Sequence, residues 1–159
     1  MYQKVHVHGL LVDPIKEMPI LVLKDDEDGR MLPIWIGHYE ANAISLHMEK
    51  IPVPRPMTHD LLCRVLEGAG SSLEKVLIRD LQDHTYFAEL VLMREGREVH
   101  VDARPSDAVA MAVRTGSPIF VEASLYERAA DVEEGDDDVD SLRRWLAKLS
   151  PEELGEYEM

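Results

Sequence analysis

The segment Ile51-Pro52-Val53-Pro54-Arg55-Pro56 is the strongest constraint on how this chain folds. Prolines at alternate positions remove amide donors and push each preceding residue toward extended backbone, so no helix runs through it. It is a stiff connector, and the apolar patterns on either side must belong to separate elements. Upstream, His38 to Lys50 sets Ala41, Ile44 and Met48 on one helical face. Downstream, Thr58 is a good N-cap for a second helix carrying Leu61, Leu62, Val65, Leu66 and Ala69, and Gly70 is placed to stop it.

Strand-like runs flank this helical pair. Val5, Val7 and Leu10 to Val12 open the chain, with His6 and His8 alternating against the valines until Asp13-Pro14 breaks the run. Two histidines two apart on a strand can share a metal, but no third ligand lies nearby in sequence, and a half-exposed edge strand is the favoured account. Met18 to Leu23 and Met31 to Ile36 follow, separated by Asp25-Asp26-Glu27-Asp28-Gly29, a hairpin turn that lacks the ligand alternation of a calcium loop. Trp35, between Ile34 and Ile36, reads as a core residue rather than a base-stacking platform.

Leu73 to Asp80, Thr85 to Met93 and Glu98 to Ala103 predict three more strands, joined by tight turns at Gln82-Asp83-His84 and Arg94-Glu95-Gly96. In the last, Val99, Val101 and Ala103 share one face and His100 and Asp102 the other. Pro105 opens a helix over Ser106 to Thr115, rich in small residues and stopped by Gly116. Ser117 to Val121 is a short strand, and Ala123 to Ala129 a short helix. Strands joined at hairpin length predict an α+β domain over residues 1–130, a mainly antiparallel or mixed sheet with helices packed against it. Residues 131–159 then form an acidic linker and an amphipathic C-terminal helix with Leu142, Trp145, Leu146 and Leu149 on its stripe.

Charge and cysteine content limit the function classes. Residues 1–126 hold 19 acids and 13 bases, a net of −6, out of −14 for the whole chain, so no long-range attraction to a polyanion is expected. The lone Cys63 sits among Leu61, Leu62, Val65 and Leu66, where a thiol behaves as a small buried hydrophobe. No apolar run approaches the roughly 18 residues of a membrane span, and the N-terminus lacks a signal-peptide core, so a cytoplasmic, membrane-free protein is expected.

Two helix starts echo each other: Arg55-Pro56-Met57-Thr58-His59-Asp60 and Asp102-Ala103-Arg104-Pro105-Ser106-Asp107. Capping and the helix dipole explain the hydroxyls and the aspartates within the first turn. They leave His59, Arg55, Arg104 and Asp102 unexplained, either as an Arg-Asp network or as a site. Free helix amides and arginines bind phosphate, aspartates hold Mg²⁺ or Mn²⁺, and a histidine moves a proton. Together they suit metal-assisted phosphodiester hydrolysis.

These residues carry a family resemblance. Leu32-Pro33-Ile34-Trp35-Ile36-Gly37 with Glu40-Ala41, then Arg55 to Leu62, then Val101 to Ala108 followed by Pro118 to Val121, resemble the bifunctional nuclease domain family in order and spacing. The resemblance spans residues 1 to about 130, and Leu142 to Leu146 with Ser150 to Glu153 look like the tail of bacterial members. It implies an α+β fold, homo-oligomers of two or more copies, and cleavage of RNA and DNA. Its motif positions here are Glu40, His59, Asp60, Asp102, Arg104 and Asp107. The expected roles are His59 as proton shuttle, Asp60, Asp102 and Asp107 with Glu40 as catalytic or metal-site carboxylates for Mg²⁺ or Mn²⁺, and Arg55 and Arg104 as phosphate clamps. The alternatives are a non-catalytic homo-oligomeric module with a structural Arg-Asp network, and a sensor of small anions.

Overall fold

The structure is a computed structural model that describes the backbone of residues 1–133 and the side chains of residues 1–129. The expected acidic linker lies outside the described residues from 134 on, as does the whole C-terminal helix.

Seven strands form one mixed sheet: β1 (Tyr2–Val12), β2 (Pro19–Asp25), β3 (Met31–Trp35), β4 (Ser71–Gln82), β5 (Thr85–Arg94), β6 (Arg97–Ala103) and β7 (Ile119–Glu122). The helices are α1 (His38–Met48), α2 (Thr58–Gly68), α3 (Pro105–Thr115) and α4 (Ser124–Glu133). The spatial order is β3-β2-β1-β7-β4-β5-β6. Two antiparallel meanders, β1 to β3 and β4 to β6, are stitched together by β7, antiparallel to β1 and parallel to β4.

The hairpins follow from their turns. Asp25 closes the first by accepting amide hydrogens from Glu27 and Asp28 on Oδ1, with Gly29 left-handed at φ 73°. The other two turns place Asp83-His84 and Glu95-Gly96 at positive φ, the pairing that matches strand twist in two-residue loops. Leu21, Leu23, Leu32 and Ile34 face the main core, whereas Leu11, Ile20 and Val22 form a smaller cluster on the opposite face. Trp35 packs on that cluster, half-buried, and its indole N–H donates to Asp13 Oδ2 at 2.9 Å.

Helix α3 is central to the helical layer. Ala108, Ala110 and Ala112 are fully buried, and their small side chains let α3 lie between the sheet and the flanking helices α1 and α2. Gly116 ends it in the left-handed conformation at φ 70°. Arg128 of α4 pairs with Asp80 at 2.8 Å, and Arg30 lies over the Tyr126 ring at 4.2 Å, fixing α4 across the sheet ends.

Several expectations shift. Met57, not Thr58, occupies the N-cap of α2; Thr58 falls in the first turn, and Asp60 reaches back to accept the Met57 amide hydrogen at 2.9 Å. Helix α1 stops at Met48 because Lys50 turns left-handed at φ 55°. Strand β1 lies inside the sheet rather than at an edge, and His6 is tied to Asp26 at 2.6 Å. Helix α4 continues past the expected Ala129 to Glu133, into the first residues of the acidic run. Among the described residues no helix is long and apolar enough to cross a membrane.

Candidate functional site

Three helices begin on the same plan: Glu40, Asp60 and Asp107 each stand three residues after the N-caps Gly37, Met57 and Arg104. A carboxylate there is favoured by the positive end of the helix dipole and by free amides. What each does next depends on which cation stands beside it.

Two of them share Arg104. Asp107 Oδ2 receives Arg104 Nε and Nη2, each at 2.9 Å, while Glu40 Oε1 lies 3.0 Å from Arg104 Nη1. The other oxygen of Asp107 lies 2.9 Å from His59 Nε2. A chain His59–Asp107–Arg104–Glu40 therefore links the starts of α2, α3 and α1. An ionised Asp107 accepts only, so His59 carries its proton on Nε2, and Nδ1 has no hydrogen bond among the described residues. Burial by itself would raise the Asp107 pKa, but the His59 and Arg104 hydrogen bonds outweigh it and hold the carboxyl below its usual range.

Glu40 is placed by a glycine. A Cβ at Gly37 would lie 2.1 Å from Glu40 Oε2, so the carboxylate occupies the space that the missing side chain leaves. Gly37 has φ −75°, a backbone any residue adopts, so the demand there is for room rather than for conformational freedom.

The chain of charges lies at the mouth of a cavity of about 660 Å³ between the helices and the outer strands β5 and β6. Its floor is apolar, formed by Leu66, Leu90, Leu92 and Met111, with the exposed Leu62 and Val101 beside it. Tyr39, 90% exposed, and Asn42 stand on the α1 side. His59 is buried, with 10% of its side chain exposed, whereas Arg104 keeps 64%.

The remaining expected residues are not brought together with these. Asp60 turns away from His59 and pairs with Arg114 Nε at 2.7 Å. Arg55 is exposed on the proline connector and lines no part of the cavity. Asp102 reaches the cavity rim, but it is the cross-strand neighbour of Glu89, on the face of β6 opposite Val101 and Ala103. The donor set does not fit a divalent cation. Both oxygens of Asp107, both of Asp60 and one of Glu40 are committed, and among the described residues no three His, Cys, Asp or Glu side chains stand together as metal ligands.

Three residues of consequence were not singled out from the sequence. Arg114, 7% exposed, donates to Asp60 and to the carbonyls of Ala110 and Ala43 at 2.8 Å each, which ties α2 and α1 to α3. No local pattern marks it. Gly37 enters the sequence reading only as the last residue of the Leu32–Gly37 motif, with no sign of the room it leaves for Glu40. Tyr39 could have been found, since it lies on the side of α1 away from Ala41 and so had to face solvent.

The family model described as the bifunctional nuclease domain matches residues 21–134. An uncharacterized protein of Mycobacterium tuberculosis is 37% identical over 95% of this chain and 97% of its own length. Bifunctional nuclease 1 and bifunctional nuclease 2 of Arabidopsis thaliana are each 31% identical, over 67% and 66% of this chain. The matches span 34% and 33% of those plant proteins, so the likeness is to a domain of each. The match to the family model, over most of the domain that presents the His59–Asp107–Arg104–Glu40 chain, places this protein in the bifunctional nuclease domain family.

Proposed function

We propose that the chain hydrolyses phosphodiester bonds of RNA and DNA at the mouth of this cavity. The observation that carries the reading is the His59–Asp107–Arg104 chain, in which a histidine held by a carboxylate stands next to a mostly exposed guanidinium. Arg104 commits three of its five N–H donors to Asp107 and Glu40 and keeps two for a phosphate oxygen. His59 Nδ1 takes a proton from water as the water oxygen bonds to phosphorus, and Asp107 stabilises the imidazolium that forms. The bond to the leaving oxygen breaks, and the imidazolium returns the proton to that oxygen. No step is routed through a metal, since the carboxylates do not gather around one.

The test is cleavage of labelled single-stranded RNA and DNA by protein freed of contaminating nucleases, with and without EDTA. Activity that survives EDTA and is lost in His59→Ala and in Asp107→Asn supports the reading. Unchanged cleavage in both variants sinks it.

One observation favours a second reading, a non-catalytic homo-oligomeric module. Leu61, Leu62 and Val65 of α2 and Val99 and Val101 of edge strand β6 are all exposed, apolar side chains of the kind a second copy could cover. On that reading Arg104→Ala lowers stability or oligomer size in sedimentation, and no nucleic acid is ever turned over.

A further inference from the structure

We propose that the cavity is a nucleobase pocket: it takes one unpaired base of a single-stranded nucleic acid onto its apolar floor, while Tyr39 stacks on a neighbouring base at the mouth. This rests on the hydrolase reading above and names its substrate class.

The first support is electrostatic. A protein that grips nucleic acid by its phosphates releases counterions and needs a basic face. Residues 1–126 carry a net charge of −6, and the one guanidinium at the site is offset by Asp107 and Glu40. Phosphate contacts therefore orient a strand here without supplying much affinity, and the affinity has to come from apolar contact.

The second is the shape and chemistry of the cavity. About 660 Å³ falls within the range of small-molecule clefts and is ample for one base. A base inside a duplex is covered on both faces by its stack and cannot enter, whereas an unpaired one can be splayed out. The floor of Leu66, Leu90, Leu92 and Met111, with the exposed Leu62 beside it, suits the flat face of a base rather than its phosphate. Asn42 lines the same cavity, and its carboxamide has no hydrogen bond among the described residues. It offers two donors and an acceptor, which match the edge of any base.

The third is Tyr39. An aromatic ring 90% exposed on the first turn of α1, next to Glu40 and at the cavity mouth, has no packing role among the described residues. Sequence-tolerant stacking is what such a ring provides to a single strand.

The experiment uses the full chain and fluorescence anisotropy with labelled hexamers of RNA and DNA. Their backbones are phosphorothioate, so that cleavage does not consume the probe, and a duplex of the same sequence is the comparison. The expected result is single strands binding about tenfold more tightly than duplex. The slope of log affinity against log salt should correspond to no more than about two phosphates. Tyr39→Ala and Leu62→Lys, both at exposed positions, should each weaken single-strand binding about tenfold, with Tyr39→Phe restoring it. Equal binding of duplex, a steep salt slope, or binding unmoved by both substitutions overturns the pocket. So does a sedimentation result in which Leu62→Lys splits an oligomer but leaves oligonucleotide binding intact, because a second copy then covers the cavity. Binding as described with no cleavage of unmodified RNA or DNA refutes hydrolysis and leaves the pocket standing. Cleavage of single strand and duplex alike, insensitive to Tyr39→Ala, does the reverse.

Discussion

Asp60→Asn separates the scaffold from the site. The substitution keeps the size of the side chain and an oxygen to accept the Met57 amide hydrogen, and removes the charge opposite Arg114. Arg114 is 7% exposed and holds α1, α2 and α3 together through Asp60 and two backbone carbonyls, so its charge stays buried when the partner is neutralised. Removing one member of a buried pair costs about 3–5 kcal/mol. Asp60 retains 27% exposure, and water reaching it replaces part of the lost interaction, which brings the expected cost to about 2–3 kcal/mol. For a domain of this size that is a fall in Tm of about 8–12 °C.

The same pair fixes a pH signature. Burial by itself would raise the Asp60 pKa, but the Met57 amide and the Arg114 guanidinium outweigh it and hold the carboxyl below its ordinary value. A depressed carboxylate contributes stability in full above its unfolded-state pKa, and the contribution is lost as pH falls through the folded-state value. Calorimetric melts of wild type and Asp60→Asn should therefore differ most near neutrality and converge in acid. A difference under about 2 °C at neutral pH refutes the keystone role of the pair. Cleavage lost in folded Asp60→Asn, measured well below its Tm, refutes the assignment of Asp60 to the scaffold.

Gly37→Ala should cost under about 1 kcal/mol in denaturant melts, because the group displaced is the end of a flexible side chain, yet it should break the Glu40–Arg104 pair. A changed Arg104 environment with near-native stability is the expected outcome, readable by NMR of the guanidinium Nε–H. His100 on β6 should titrate above the ordinary histidine value, because it hydrogen-bonds Glu89 and Glu98, and Glu98→Gln should bring it down. The stability it contributes is fully present below the unfolded-state pKa and fades as pH rises through the raised one. Ala110→Leu should destabilise by about 1–3 kcal/mol or more, since α3 is fully buried there and has no space for three further carbons.

The elements were legible where one local rule sufficed. Alternating apolar residues, Asp25 to Gly29, Asp83-His84 and Gly116 marked strands, turns and a helix end without reference to anything distant. The register that sets Val101 and Asp102 on opposite faces of β6 followed from the strand period alone. The order of the strands was not legible, because β7 reaches its place between β1 and β4 only through packing that no window of sequence contains. The N-cap of α2 was misplaced for a related reason. A threonine outranks a methionine as a cap in isolation, but Asp60 three residues on supplies the capping oxygen from inside the helix.

The site divides along the same line. From sequence, Asp60 and Asp107 are equivalent: each stands in the first turn of a helix led by Arg-Pro, and the dipole favours both. Their fates differ because of two arginines. Arg104 comes from the N-cap of the same helix as Asp107 and keeps that carboxylate at the cavity mouth, where His59 completes the chain. Arg114 comes from the far end of α3, and it draws Asp60 toward the interface of the three helices. Arg55 precedes its proline just as Arg104 does, but the stiff connector leaves it exposed and outside the cavity. Two matching motifs thus become one site and one brace, decided by where the third helix begins and ends.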